Sequence, residues 1–115
     1  MADVEKTSLT ALAEEHLAVA REASSGRSAH TVHGGHDHVM RQTLIALRAG
    51  ASLAEHESPG EATLQVLMGR VRLTVDGDGP EGTAGDLLVI PRERHALEAD
   101  EDAVVLLTVG KHGID

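Results

Sequence analysis

From residue 28 onward the chain divides into short runs rich in Val, Leu, Ile and Thr: AHTV, HVMRQTLIALRAG, SLAEHE, ATLQVLM, RVRLTV, DLLVI, HALEA and AVVLLTV. The breaks between them are HGGHD, SPGE, DGDGPEGTAGD, PRER and DED. Gly, Pro and Asp favour turn geometry that a strand cannot carry through. Many short strands with regular turn signals predict an all-β barrel or sandwich. No second long helical pattern interrupts the runs, which argues against a βαβ sheet.

Before this region, residues 7–24, TSLTALAEEHLAVAREAS, read as a helix. Thr7 or Ser8 supplies a hydroxyl that can accept from a free amide of the first turn. Leu9, Leu12, His16, Val19, Ala20 and Ala23 recur at spacings of three and four and predict one apolar stripe. SSGR then ends the helix, with Gly26 near its C-terminal end. The expected organisation is a helical extension over residues 1–27 and a β-barrel domain over 28–115. His16 is read as a packed or half-exposed residue with no role of its own.

Composition narrows the function classes. The 115 residues suit one domain with one core. No residue is aromatic and none is cysteine, so Leu, Val, Ile, Ala and Met must fill the interior. Without aromatic rings there is no stacking platform for nucleobases. The formal net charge of −9 repels a phosphate backbone. Nucleic acid is therefore not an expected partner. The acidic, polar start MADVEKTSLT does not look like a secretory signal, and no apolar stretch approaches the roughly 20 residues of a membrane span. The expectation is a cytoplasmic protein with no membrane contact.

Two stretches carry a more specific pattern. In GASLAEHESPGEATLQVLMG, Gly50 is followed by five residues and His56, and Gly69 closes the segment. In GDLLVIPRERH, Gly85 is followed by five residues and Pro91, and His95 ends the segment. Together, in this order, they resemble the two motifs of the cupin superfamily over about residues 40–110. The first family motif has the form G-x5-H-x-H-x3-4-E-x6-G, and the second G-x5-P-x-G-x2-H. The chain departs from both. Ser58 stands where the second histidine is usual, Ala62 where the glutamate is usual, and Glu93 where the second motif has glycine. The interval from Pro91 to His95 is also one residue short. The resemblance implies an antiparallel, jelly-roll-like β-barrel with a short N-terminal helix, and a homodimer.

In the family pattern, residues i and i+2 of a strand turn two imidazoles to one side, and the second motif adds another. The resemblance thus places His56, Ser58, Ala62 and His95 in one pocket, with Gln42 as a further lining residue. Two of the four family ligands are present. A two-histidine set is poor for Fe(II), which commonly takes two His and a carboxylate. Glu61 is the favoured replacement, if a one-residue bulge after the SPG turn rotates it inward. His56, His95 and Glu61 would then hold Fe, Mn, Ni or Zn. The other open possibility is that Glu61 is a polar turn residue and the site is degenerate.

HTVHGGHDH packs four histidines into nine residues. His36 and His38 could clip a transition metal at the surface or reach the barrel mouth, and a solvated turn is the simpler reading. Arg70 and Arg72 fall on one strand face and read as solvated. Glu98, Asp100, Glu101 and Asp102 read as a solubilising hairpin tip. DGDGPEG is oxygen-rich but lacks the spacing and closing glutamate of an EF-hand. The functional expectation is a small-molecule-binding or regulatory barrel with a degenerate metal site. The alternative is a metal-dependent enzyme of dioxygenase or isomerase type.

Overall fold

The computed structural model describes residues 2–57 and 60–111. In chain order its elements are α1 (Leu9–Glu22), β1 (Arg27–His33), β2 (Met40–Leu47), β3 (Ser52–His56), β4 (Gly60–Met68), β5 (Arg70–Thr74), β6 (Glu81–Thr83), β7 (Leu87–Val89), β8 (His95–Ala99) and β9 (Ala103–Lys111). Two antiparallel sheets form, one ordered β1-β2-β9-β4-β7 and the other β3-β8-β5-β6. This is the all-β, jelly-roll-like architecture expected from the strand punctuation.

Strand alternation decides which residues enter the space between the sheets. Ile45 and Leu47 of β2, Leu64 and Val66 of β4, Val71 and Leu73 of β5, Leu97 and Ala99 of β8, and Val105 of β9 form one buried cluster there. Burying a Leu or Val side chain stabilises by about 1.5–3 kcal/mol, so this layer dominates the fold. The other face of the five-stranded sheet carries α1. Ala13, Leu17 and Ala20 of the helix pack on Leu44, Ala46 and Val104.

The helix stripe is rotated from the one expected. Ser8 caps the helix, and its Oγ accepts from the Ala11 N–H at 3.1 Å. Leu9 and Leu12 are partly buried against the sheet, but Val19 is 50% exposed and Leu17 is buried. Alanines occur all around this helix, so apolar periodicity is a weak guide. The face that docks is the one where Ala13 and Ala20 permit close approach to the sheet.

The stretch 76–86, read from sequence as one break, contains β6, paired with β5 through Arg70↔Thr83, Val71↔Gly82 and Arg72↔Glu81. Its central residue, Gly82, is buried against Leu88 and Val66, and a Cβ there would come within 3.1 Å of each. The inward position of this strand is thus a glycine, and no apolar residue announces it. Gly69, which closes the first motif, has φ +76°, and a Cβ there would run into the Asp102 carbonyl oxygen. A motif glycine here answers to both backbone angle and space.

Candidate functional site

His95 opens β8 and is only 2% exposed. It has the parity of Leu97 and Ala99, which lie in the inter-sheet core, so its ring enters the sandwich. His56 closes β3 and stands directly opposite it in the ladder. The β3–β8 register shifts between Leu53 and His56. Without the shift, alternation from the core-packed Leu53 would send residue 56 to the opposite face, because a one-residue slip exchanges the faces of a strand. The irregularity thus brings the two rings together, 4.5 Å between centroids and 62° between planes. His56 is exposed at the mouth and His95 lies beneath it.

Both rings are oriented in the same way. His56 Nδ1 lies 2.8 Å from the Ala54 carbonyl oxygen, and His95 Nδ1 lies 2.9 Å from that of Glu93. A carbonyl only accepts, so each Nδ1 carries the proton and donates. Nε2 is then the ring atom that each histidine has left to offer a ligand or a metal ion. Arg94, which the sequence reading passed over, donates from Nη2 to the Glu55 carbonyl at 3.2 Å. It ties the approach to β8 to the end of β3, next to both histidines. A long basic side chain in a turn gives no sequence signal for such a brace.

The other candidates separate. Ala62 has 3% exposure and shares the inward parity of Leu64 and Val66. Its carbonyl accepts from the Ile90 N–H at 3.0 Å. Glu61 does not turn inward. The β4–β9 ladder is regular from Gly60↔Lys111 through Val66↔Val105 and slips only between Val66 and Met68. With no bulge after the turn, Glu61 is exposed on the face opposite Ala62. Gln42 also leaves the histidines. It has the parity of Leu44 and Ala46, which face the helix, and its Nε2 donates to Thr108 Oγ1 at 3.2 Å. It lines a cavity of about 340 Å³ with Glu5, Thr7 and Met40, on the outer side of the sheet. Ser58 lies outside the described residues.

In the 36–38 loop, the ring that approaches His38 is that of His33, 5.4 Å away and edge-on. Lys111 Nζ donates to the carbonyls of Gly35 at 2.8 Å and His36 at 3.3 Å, which pins this loop to the end of β9. Among the described residues no three His, Asp or Glu side chains are grouped to hold a metal ion. Two imidazoles without a carboxylate do not fit a closed centre for the metals this barrel pattern implies.

One strand over from His95, β5 continues the same inner face. Leu73 pairs with Leu97 and Thr74 with Ala96, the neighbour of His95. Leu73, Val75, Leu88, Pro80 and Pro91 border a mostly apolar cleft of about 310 Å³, with Asp78 at its edge. The strand arginines expected to be solvated keep partly exposed side chains and also make ion pairs. Arg70 Nη2 lies 3.4 Å from Glu101, and Arg72 meets Glu81 and Asp100.

Two facing antiparallel sheets place the chain in the all-β, jelly-roll-like class, with a histidine pair at one mouth. The cupin domain family matches residues 43–110, and the chain belongs to that family. No curated protein matches it. Among solved structures it is similar to the conserved SPY1581 protein of unknown function from Streptococcus pyogenes, with 28% identity, TM-score 0.69 and 79% of each chain covered. KdgF from Halomonas sp. is similar with 18% identity and TM-score 0.64, covering 80% of this chain and 85% of that one. A mutant of salicylate 1,2-dioxygenase from Pseudoaminobacter salicylatoxidans gives 21% identity and TM-score 0.71 over 88% of this chain, but only 33% of its own. The last two likenesses concern the fold. No helix among the described residues is long and apolar enough to cross a membrane.

Proposed function

We propose that the chain is a small-molecule-binding or regulatory barrel whose ligand sits over His56 and His95. The observation that carries this reading is the pair of rings, 4.5 Å between centroids, each with Nδ1 at a backbone carbonyl and, among the described residues, with no third His, Asp or Glu grouped beside them. With Nδ1 donating to a carbonyl, Nε2 is the position left to accept, so the ligand brings hydroxyl or N–H donors. The apolar cleft at Leu73, Val75 and Leu88 takes a small aliphatic part of the same ligand. The protein acts as a homodimer in the cytoplasm. Exposed Met40, Leu87 and Val89 on the five-stranded sheet support a contact between copies.

A metal-dependent enzyme is the second reading, favoured by one observation. Metal-bound histidines characteristically donate the remaining ring N–H to a backbone carbonyl, and both rings do so here. Metal content by mass spectrometry on protein purified without a histidine tag separates the two. The first reading expects no stoichiometric metal in the wild type, and expects hydroxylated aliphatic ligands to shift the His56 and His95 ring signals by NMR. Near-stoichiometric metal that is lost in His56→Ala/His95→Ala sinks the first reading in favour of the second.

A further inference from the structure

The first turn of α1 and the start of β2 leave an unfilled space on the outer side of the five-stranded sheet, about 340 Å³ in volume. Its floor is apolar. Leu106 of β9 is buried there, and Leu9 and Val32 pack against the margin of the helix–sheet cluster. A chain without a single aromatic residue has no large flat side chain to close such a gap. The space lies across the sheet from His56 and His95, so its occupancy is independent of theirs.

Strand register sets the acceptors on its wall. Thr31 pairs with Thr43 but His33 pairs with Gln42, so Val32 is an extra residue in β1. In a regular strand Val32 and His33 would face opposite sides. The bulge turns both to the helix side, because His33 takes the face of its partner Gln42, and both line the cavity. Gln42 Nε2 donates to Thr108 Oγ1 at 3.2 Å, which leaves Oε1 as the acceptor its amide offers. Glu5, in the segment before the helix, adds a carboxylate. Among the described residues no Lys or Arg borders the space.

We infer that this cavity binds a small aliphatic primary amine in its ammonium form. Charge and donor balance decide the polar end. An ammonium group has three N–H donors and no acceptor, and the wall presents a carboxylate, an amide oxygen and an imidazole. An anionic ligand would meet Glu5 with no cation beside it. The net charge of −9 also draws cations toward the surface. A quaternary ammonium is disfavoured, because it has no N–H and the chain has no aromatic ring to cage it. Leu9, Val32 and Leu106 take the alkyl part, with the adaptable thioether of Met40 at the rim. The volume lies at the low end of the range for ligand pockets, about 300–1,000 Å³, and suits a short chain.

The test is NMR titration of the full chain, without a tag, with butylamine, hexylamine, 1-butanol, butyrate and tetramethylammonium at neutral pH. Butylamine is expected to shift the amide signals of Leu9, Val32, His33 and Gln42 saturably. Hexylamine should bind about fourfold tighter for each added methylene that enters the cavity. Butanol should bind the same place more weakly, and butyrate and tetramethylammonium should leave these signals unchanged. Glu5→Gln, at an exposed position, should weaken butylamine about fivefold. Gln42→Met, which keeps the side-chain length and removes the acceptor, should also weaken it about fivefold. His56→Ala should leave it unchanged. Shifts that stay linear without saturating overturn the assignment, as do shifts centred on His95 and Leu73. Equal affinity for butyrate overturns it too, and so does an affinity that Glu5→Gln or Gln42→Met leaves unchanged.

Discussion

The molecule has two apolar layers, and they are assembled in different ways. Between the sheets, β-branched residues and leucines from several strands interlock, with Leu47, Val66, Val71 and Val105 at 0% exposure. Under the helix, half of the buried set is alanine: Ala13, Ala20 and Ala46 beside Leu17, Leu44 and Val104. The first layer stabilises by volume. The second lets backbones approach closely and adds polar ties. Asp102, at the β8–β9 turn, accepts from the Ala49 N–H at 2.8 Å and from Arg21 Nε at 2.8 Å. Arg48 Nη1 donates to the carbonyls of Arg21 and Ala23, 3.3 Å each. Where side chains are small, the interface relies on directional contacts at its end. A chain without aromatic residues has few other ways to anchor a helix on a sheet.

The sharpest way to break this contrast is to empty one layer at a time. Leu47→Ala should cost about 3 kcal/mol, seen as a lower urea midpoint with one cooperative transition. Leu17→Ala should cost less, about 2 kcal/mol. Its hydrogen exchange should be raised first in α1 while the central strands stay protected. Equal costs, or uniform exchange in the Leu17 variant, would remove the distinction between the layers.

Asp102→Ala should cost about 1–1.5 kcal/mol at neutral pH, because charge-assisted contacts are lost from a partly exposed group. The Ala49 amide, then the Arg21 side chain, hold the Asp102 carboxyl below its ordinary value of 3.8. A lowered folded-state value means that the contribution is whole above the unfolded value and disappears as pH falls through the folded one. The gap between wild type and Asp102→Ala should therefore be constant down to about pH 3.8 and shrink below it. A gap that closes on raising the pH instead would contradict the assignment.

The two histidines of the mouth give the last comparison, and His56 the smallest effect. His95→Ala should cost about 1.5 kcal/mol, because it leaves a cavity and an unpaired Glu93 carbonyl. His56→Ala, at an exposed position, should stay within about 0.5 kcal/mol. Its effect should appear in ligand titration and not in the unfolding curve.

Much of the fold was legible from local chemistry. Turn residues set the strand succession, Ser8 set the helix start, and the fixed intervals around Gly50, Gly69, Gly85 and Pro91 pointed to the family. His56 and His95, about forty residues apart, were legible as a pair for the same reason. Glu61 was not legible, because the ladder between β4 and β9 decides its face and a regular register sends it outward. The hairpin-tip cluster hid Asp102, which is distinguished from its acidic neighbours only by what stands across from it. His16 had a sequence position but no partner until β1 brought Ser28 and His30 to it.

By itself, the sequence determined the element types apart from β6, the order of the strands it announced and the two histidines that meet. These follow from backbone preference and residue spacing, which act within a few residues. The tertiary structure alone decided the shift in β3 that turns His56 toward His95, the side taken by Glu61 and Gln42, and the contacts that hold the helix. A change of one residue in register moves a side chain to the opposite face, and register is fixed by pairing between segments far apart in the chain.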